Sequence, residues 1–147
     1  SELPNKMTMA TWRNYAVHFR LRAHQKGSNP DLPEFWLTTR APLEDAKGCS
    51  FYNTYFDFRS QVITLAKGGD DSCNSIRIEA NGYPLQAGSE WYDVVMSMEN
   101  DSLEVFVDGQ RVIEAKDGAV QQGYVYFNVG PGAIVQFDDI EVYKLDE

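Results

Sequence analysis

The chain has 147 residues and a net charge of −9, and its 43% apolar content with 13% aromatics is ordinary globular composition with a heavy aromatic share. That length fits one domain, which needs neither a metal nor a disulfide merely to have a core. Residues 1–73 carry nine Lys/Arg against eight Asp/Glu, and residues 74–147 carry four against fourteen. This balance argues against nucleic acid and anionic membrane surfaces as partners, because phosphate binding needs clustered Lys/Arg. It suits a neutral sugar, a cation or simple solubility. No apolar run reaches 18 residues, so no membrane insertion is expected. No leader pattern is visible, and Ser1 reads as the start of a mature or trimmed chain. A single domain over 1–147, cut from a larger protein, is the expectation.

Residues 1–11 read as a polar entry segment. Trp12 to Ala23 alternates, with Tyr15, Val17, Phe19 and Leu21 on one face and Asn14, Ala16, His18, Arg20 and Arg22 on the other, which is the pattern of a half-buried strand. Gln25 to Pro33 is a loop, and Glu34 to Arg40 a second strand. Residues 41–48 form another loop, with one candidate helical turn at Leu43–Ala46. Ser50–Phe58 and Val62–Lys67 form a hairpin turning near Arg59–Gln61. Residues paired across it sum to about 120, which brings Cys49 close to opposite Cys73. A disulfide there would stabilise by about 3 kcal/mol through loop closure. The alternative is two free thiols, and the choice bears on whether the compartment is oxidising.

Gly68–Asn74 is a polar loop, Ser75–Ala80 a short strand, and Asn81–Ser89 a loop holding Gly82, Pro84 and Gly88. From Glu90 to Leu145 strands follow one another. Asn100-Asp101 and Asp108-Gly109 mark tight turns between them. Nine or ten short strands without a helix predict an all-β fold: a two-sheet antiparallel sandwich or jelly roll.

The order of several weak motifs carries a resemblance over nearly the whole chain. Tyr15-Ala16-Val17-His18-Phe19, Phe35 to Arg40, Gly48 to Phe56, Glu90-Trp91, Val105 to Gly109, and Gly123 to Val129 followed by Val135 to Val142 are the carrying segments. Together they resemble the concanavalin A-like, laminin-G-like jelly roll, near its bacterial glycan-binding modules and 3-keto-glycoside hydrolase domains. Many members have an extra strand pair before the first of these motifs. Here the first strand either comes from Leu3–Met9 or is missing.

The resemblance implies a lectin-like module that grips an oligo- or polysaccharide on a concave sheet face. Alternation turns Tyr124, Tyr126 and Asn128 away from Val125, Phe127 and Val129. It likewise turns Thr38 and Arg40 from Leu37 and Thr39, and Tyr52 from Phe51. Arg40 resembles the binding arginine of related modules; its alternative is a salt bridge to Glu44 or Asp57. Trp36 is a groove candidate, and Trp91 resembles a core tryptophan of the family. Arg40, Trp36, Tyr52, Asp57, Tyr124, Tyr126 and Asn128 thus form the candidate ligand site. The resemblance also implies a structural calcium, with Asp139, Asp138 and Glu2 as ligands. The alternative is an exposed Asp138 with Asp139 bonded to local backbone.

A glycosidase needs two facing acids about 5 to 10 Å apart. Most acids here sit at turns, and Asp57 with Glu79 or Asp93 is the candidate pair. His18 and His24 lack metal-ligand spacing, and no serine elbow or phosphate loop occurs. A non-catalytic carbohydrate-binding module, extracellular or on the cell surface, is therefore expected. The alternatives are a keto-glycoside hydrolase and an adhesion or sensor domain binding protein, including other domains of the same chain.

Overall fold

Ten strands make up a computed structural model that describes residues 11–24, 34–42, 50–68, 75–131 and 133–145. They are β1 (Tyr15–His24), β2 (Glu34–Ala41), β3 (Tyr52–Asp57), β4 (Val62–Gly68), β5 (Ser75–Gly82), β6 (Tyr92–Glu99), β7 (Ser102–Val107), β8 (Gln110–Lys116), β9 (Tyr124–Val129) and β10 (Ile134–Lys144). One five-stranded sheet runs β10-β1-β6-β7-β8, the other β5-β4-β3-β2-β9. Every pairing is antiparallel. The all-β two-sheet sandwich read from the sequence is the fold observed.

Alternation builds the core. In β1 the odd positions Tyr15, Val17, Phe19, Leu21 and Ala23 are buried and the even ones half-exposed. In β6 the even positions Tyr92, Val94, Met96 and Met98 are buried instead. The sheets lock together through rings. Phe19 of the first sheet lies edge-on to Phe35 at 5.7 Å and to Phe127 at 5.3 Å in the second, and Phe137 joins them. Such edge-to-face contacts add about 0.5–1.5 kcal/mol each to the area they bury.

The predicted turns are present. Asp108 and Gly109 both have positive φ, 49° and 79°, as a type I′ hairpin requires. The hairpin of β3 and β4 pairs Asp57 with Val62 and Tyr52 with Lys67, and Gly68 N–H donates to Phe51 O at 3.1 Å beyond the ladder. Cys49 and Cys73, Glu2, the Leu3–Met9 candidate strand and the Leu43–Ala46 candidate turn lie outside the described residues. Among the described residues, no helix is long and apolar enough to cross a membrane.

Two bulges interrupt the alternation. The β2–β9 register shifts between Thr38 and Ala41, where Arg40 takes φ 49°. The β1–β10 register shifts between His18 and Arg20, and Asp139 takes φ 51° on the facing strand. Each bulge re-aims a side chain that strict alternation places elsewhere.

Candidate functional site

The outer face of the second sheet carries paired side chains in rows set by strand register. Glu34 faces Asp57, Trp36 faces Tyr55, and Thr38 faces Asn53 across β2 and β3. On the other flank β9 sets Asn128 opposite Trp36 and Tyr126 opposite Thr38. Each row has its own chemistry: carboxylates, then aromatic rings, then hydroxyl and amide groups.

The Trp36 and Tyr55 rings are 5.9 Å apart and inclined by 32°, both half-exposed. A one-way chain of hydrogen bonds runs beside them. Asn128 Nδ2 donates to Thr38 Oγ1 at 3.0 Å, Thr38 donates to Asn53 Oδ1 at 2.6 Å, and Asn53 Nδ2 donates to the Tyr55 hydroxyl at 3.2 Å. Asn128 Nδ2 also reaches Trp36 O at 3.3 Å. Thr38 and Asn53 are only 7% and 8% exposed although they point away from the core, so the relay is held rigidly. Its ends are complementary: Asn128 Oδ1 remains an acceptor and the Tyr55 hydroxyl hydrogen a donor. A sugar hydroxyl both donates and accepts, and so fits such a pair.

Of the residues expected on this face, Trp36, Tyr126 and Asn128 stand together there. Tyr124 lies beside Tyr126, with their rings 4.7 Å apart and their hydroxyls bonded, but it is almost fully buried. Asp57 is at the end of the face. Its Oδ1 accepts from Arg59 N at 3.0 Å and Ser60 N at 3.2 Å, which caps the hairpin turn. Glu34 opposite it has a carboxyl raised above its ordinary range, first by desolvation and then by the Asp57 charge.

Two of the expected ligand-site residues are placed elsewhere. Arg40 does not line the face. Its positive φ turns the side chain inward, fully buried, where Nε and Nη2 donate to Arg13 O at 3.0 and 2.7 Å and Nη1 to Val120 O at 3.0 Å. It clamps the β8–β9 loop to the segment before β1. Tyr52 also points inward. Its hydroxyl donates to Asp117, with Oδ1 at 2.7 Å, and accepts from Val120 N at 3.2 Å. Burial, the largest cause, pushes the phenol up to about 12. Asp117 also receives Lys67 Nζ at 2.7 Å, and these bonds outweigh its desolvation and hold its carboxyl low.

Trp91, expected in the core, instead lies half-exposed on the first sheet's outer face under Arg20 and Arg22. Tyr92 takes the core position. Asp138 and Asp139 are both exposed. Asp138 Oδ1 accepts from Asp139 N at 2.9 Å, and its other oxygen is 3.8 Å from Arg20. No group of three His, Cys, Asp or Glu side chains gathers among the described residues. The Asp138-Asp139 carboxylates alone do not fit the six to eight oxygens that calcium requires.

The acid pairs named for a glycosidase are not assembled. Asp93 lies on the other sheet, bonded to His18 at 2.6 Å. Glu79 pairs with Leu65, three rungs from Asp57's partner Val62. The acid facing Asp57 is Glu34.

Tyr55, Asn53 and Glu34 were not foreseen as site residues. A signal for the first two existed. Asn53, Tyr55 and Asp57 alternate, so an outward Asp57 requires an outward Tyr55 and an inward Tyr52.

Neither a family model nor a curated protein matches the chain. Solved structures do. A carbohydrate-binding module, CBM66, from Bacillus subtilis superposes with TM-score 0.72 at 16% identity, over 89% of this chain and 75% of that one. Sheep galectin-11, in complex with glycerol, gives 0.64 at 11%, over 96% and 99%. The exoplasmic/lumenal domain of VIP36, in a Ca2+- and mannose-bound form, gives 0.64 at 12%, over 91% and 69%. At these identities the likeness is one of fold. With its two five-stranded antiparallel sheets, this chain has a jelly-roll β-sandwich fold of the concanavalin A-like kind.

Proposed function

We propose that this chain is a non-catalytic, lectin-like carbohydrate-binding module whose glycan lies on the outer face of the β5-β4-β3-β2-β9 sheet. The observation that carries this reading is the Trp36–Tyr55 ring pair beside the Asn128–Thr38–Asn53–Tyr55 relay. Rings pack on the apolar face of a sugar, and fixed amide and hydroxyl groups select its hydroxyls. The solved structures of like fold include carbohydrate-binding and lectin domains, which supports the same reading. Trp36, Tyr55 and Tyr126 supply contact area. Asn128 and Tyr55 supply the directional bonds. An extracellular or cell-surface setting accords with a disulfide between Cys49 and Cys73, and a count of free thiols in unreduced protein tests that pairing.

A glycan array followed by calorimetric titration of the best ligand tests the assignment. Asn128→Ala removes the acceptor at that end of the relay and is expected to weaken binding about tenfold, the loss of one well-placed polar contact.

The facing carboxylates Glu34 and Asp57 favour a second reading, a glycoside-acting hydrolase. Directly opposed strand residues have Cβ atoms about 5 Å apart, within reach of the spacing glycosidases use. Turnover of a chromogenic glycoside, abolished in Asp57→Asn, would establish it. Binding without turnover would leave the module reading standing.

A further inference from the structure

The first sheet carries a second chemically distinct cluster on its own outer face. His18, Arg20, Arg22 and His24 alternate along β1 with buried Val17, Phe19, Leu21 and Ala23. They form a row of like-facing side chains about 7 Å apart. β1 lies between β10 and β6, so the row runs within the sheet and not along its rim.

The two guanidinium groups share one ring. The Arg20 carbon is 4.9 Å and the Arg22 carbon 4.6 Å from the Trp91 centroid. Each contact is favourable, yet together they hold two like charges over one indole.

Among the described residues, Arg22 has no carboxylate partner. Its Nε donates to Gln136 Oε1 at 2.7 Å, and its Nη2 bonds the same oxygen. His24 Nε2 bonds that oxygen too, at 2.7 Å. Three donors therefore meet at one neutral amide oxygen that has two lone pairs. At Arg22 and His24 the donors exceed the acceptors that the described residues supply.

Among the described residues, the acids in register with the row flank Arg20, Asp93 on β6 and Asp138 on β10. Asp93 is held by His18 at 2.6 Å, and Asp138 stands 3.8 Å from Arg20. Glu141 pairs with His18. Opposite Arg22 and His24 the β10 residues are Gln136 and Ile134, neither of them charged. An anion at this end meets donors on one side and no carboxylate on β10.

We propose that Arg20, Arg22 and His24, braced by Trp91 and Gln136, form a second binding site for the anionic oxygens of an acidic sugar, a uronate or a sulfated residue. The guanidinium fork of Arg22 matches the paired oxygens of a carboxylate or sulfate. An incoming anion relieves the repulsion between Arg20 and Arg22 and takes over the donors crowded on Gln136. The site lies on the opposite outer face from Trp36. The sugar in this proposal rests on the glycan-binding reading; the anion rests on the cluster alone.

The test titrates the full chain with four probes: an unsulfated glucuronate-containing oligosaccharide, a sulfated oligosaccharide, a neutral oligosaccharide of equal length, and inorganic sulfate. At least one acidic oligosaccharide is expected to bind at least tenfold more tightly than the neutral one, with affinity falling as salt rises. The uronate and sulfate arms show which anion is preferred. Arg22→Gln is expected to lose at least tenfold of that affinity. Arg22→Lys, which keeps the charge and loses the fork, should recover only part of it. Trp36→Ala should retain acidic-sugar binding, which separates this site from the first. Equal affinity for acidic and neutral probes overturns the proposal. So does unchanged affinity in Arg22→Gln, or inorganic sulfate binding as tightly as either acidic oligosaccharide.

Discussion

Arg40 shows how one backbone angle decides a side chain's role. By alternation it belongs beside Trp36 and Thr38; at φ 49° it becomes an internal clamp on Arg13 O and Val120 O. Removing it orphans buried carbonyls and leaves a cavity. Arg40→Ala is therefore expected to cost about 2–4 kcal/mol of stability, read from denaturant unfolding. An unchanged midpoint would contradict the clamp. Thr39 predicts the opposite sign. Its hydroxyl is fully buried without a hydrogen-bond partner among the described residues. Thr39→Val removes that unpaired group at nearly constant volume and should raise stability by about 1 kcal/mol in the same measurement. Neither outcome was legible in the sequence. No glycine announces the positive φ at Arg40, and Thr39 looks like any inward strand threonine.

At the scale of strands, patterning was legible wherever one parity is apolar and the other polar. β1 and β6 are clear cases. Trp91 shares its parity with Asp93, Ser97 and Glu99, which places it outside despite its size. β3 is harder, because Phe51 and Tyr55 on one parity compete with Tyr52, Phe56 and Phe58 on the other. Only the polar residues Asn53 and Asp57 break the tie. The bulge in β2 depends on a neighbour, Gly123. With φ +140°, a Cβ there would stand 2.2 Å from Ala41 O and 2.4 Å from the Arg40 carbonyl carbon. No side chain relaxes a backbone clash of that kind. Gly123→Ala is expected to destabilise by more than about 2 kcal/mol, or to prevent folding, as a melting temperature will show. The turn dipeptide Asp108-Gly109, by contrast, was legible from composition alone, because both positions need positive φ.

For the whole molecule, the pH limits of stability follow from the buried groups. The Asp117 carboxyl is held below its ordinary value by Lys67 and Tyr52 against the opposing effect of burial. Its contribution is present above the ordinary carboxylate range near pH 4 and is lost as pH falls through the lowered folded value. Tyr52 is raised to about 12, and Tyr15 is raised further, chiefly by burial. Unfolding frees both phenols to ionise above pH ~10, so stability should fall from there toward pH ~12. In Asp117→Asn the acid limb should flatten while the alkaline limb persists, in unfolding measured across pH. An unaltered acid limb would contradict the Lys67–Asp117–Tyr52 account.

The two outer faces differ in chemistry. One offers rings and a neutral relay; the other offers the Arg22 guanidinium, which has no carboxylate partner among the described residues. The fold was legible because alternation and turn dipeptides are local. The site was legible only in part, because register and bulges, which choose the members of a face, depend on other strands. The central claim is that the Trp36–Tyr55 face holds the glycan. Calorimetric titration of Trp36→Ala against the array-selected neutral glycan, with circular dichroism to confirm the fold, tests it most directly. A loss of tenfold or more in affinity with an unchanged spectrum is predicted. Full affinity in the folded variant would contradict the claim.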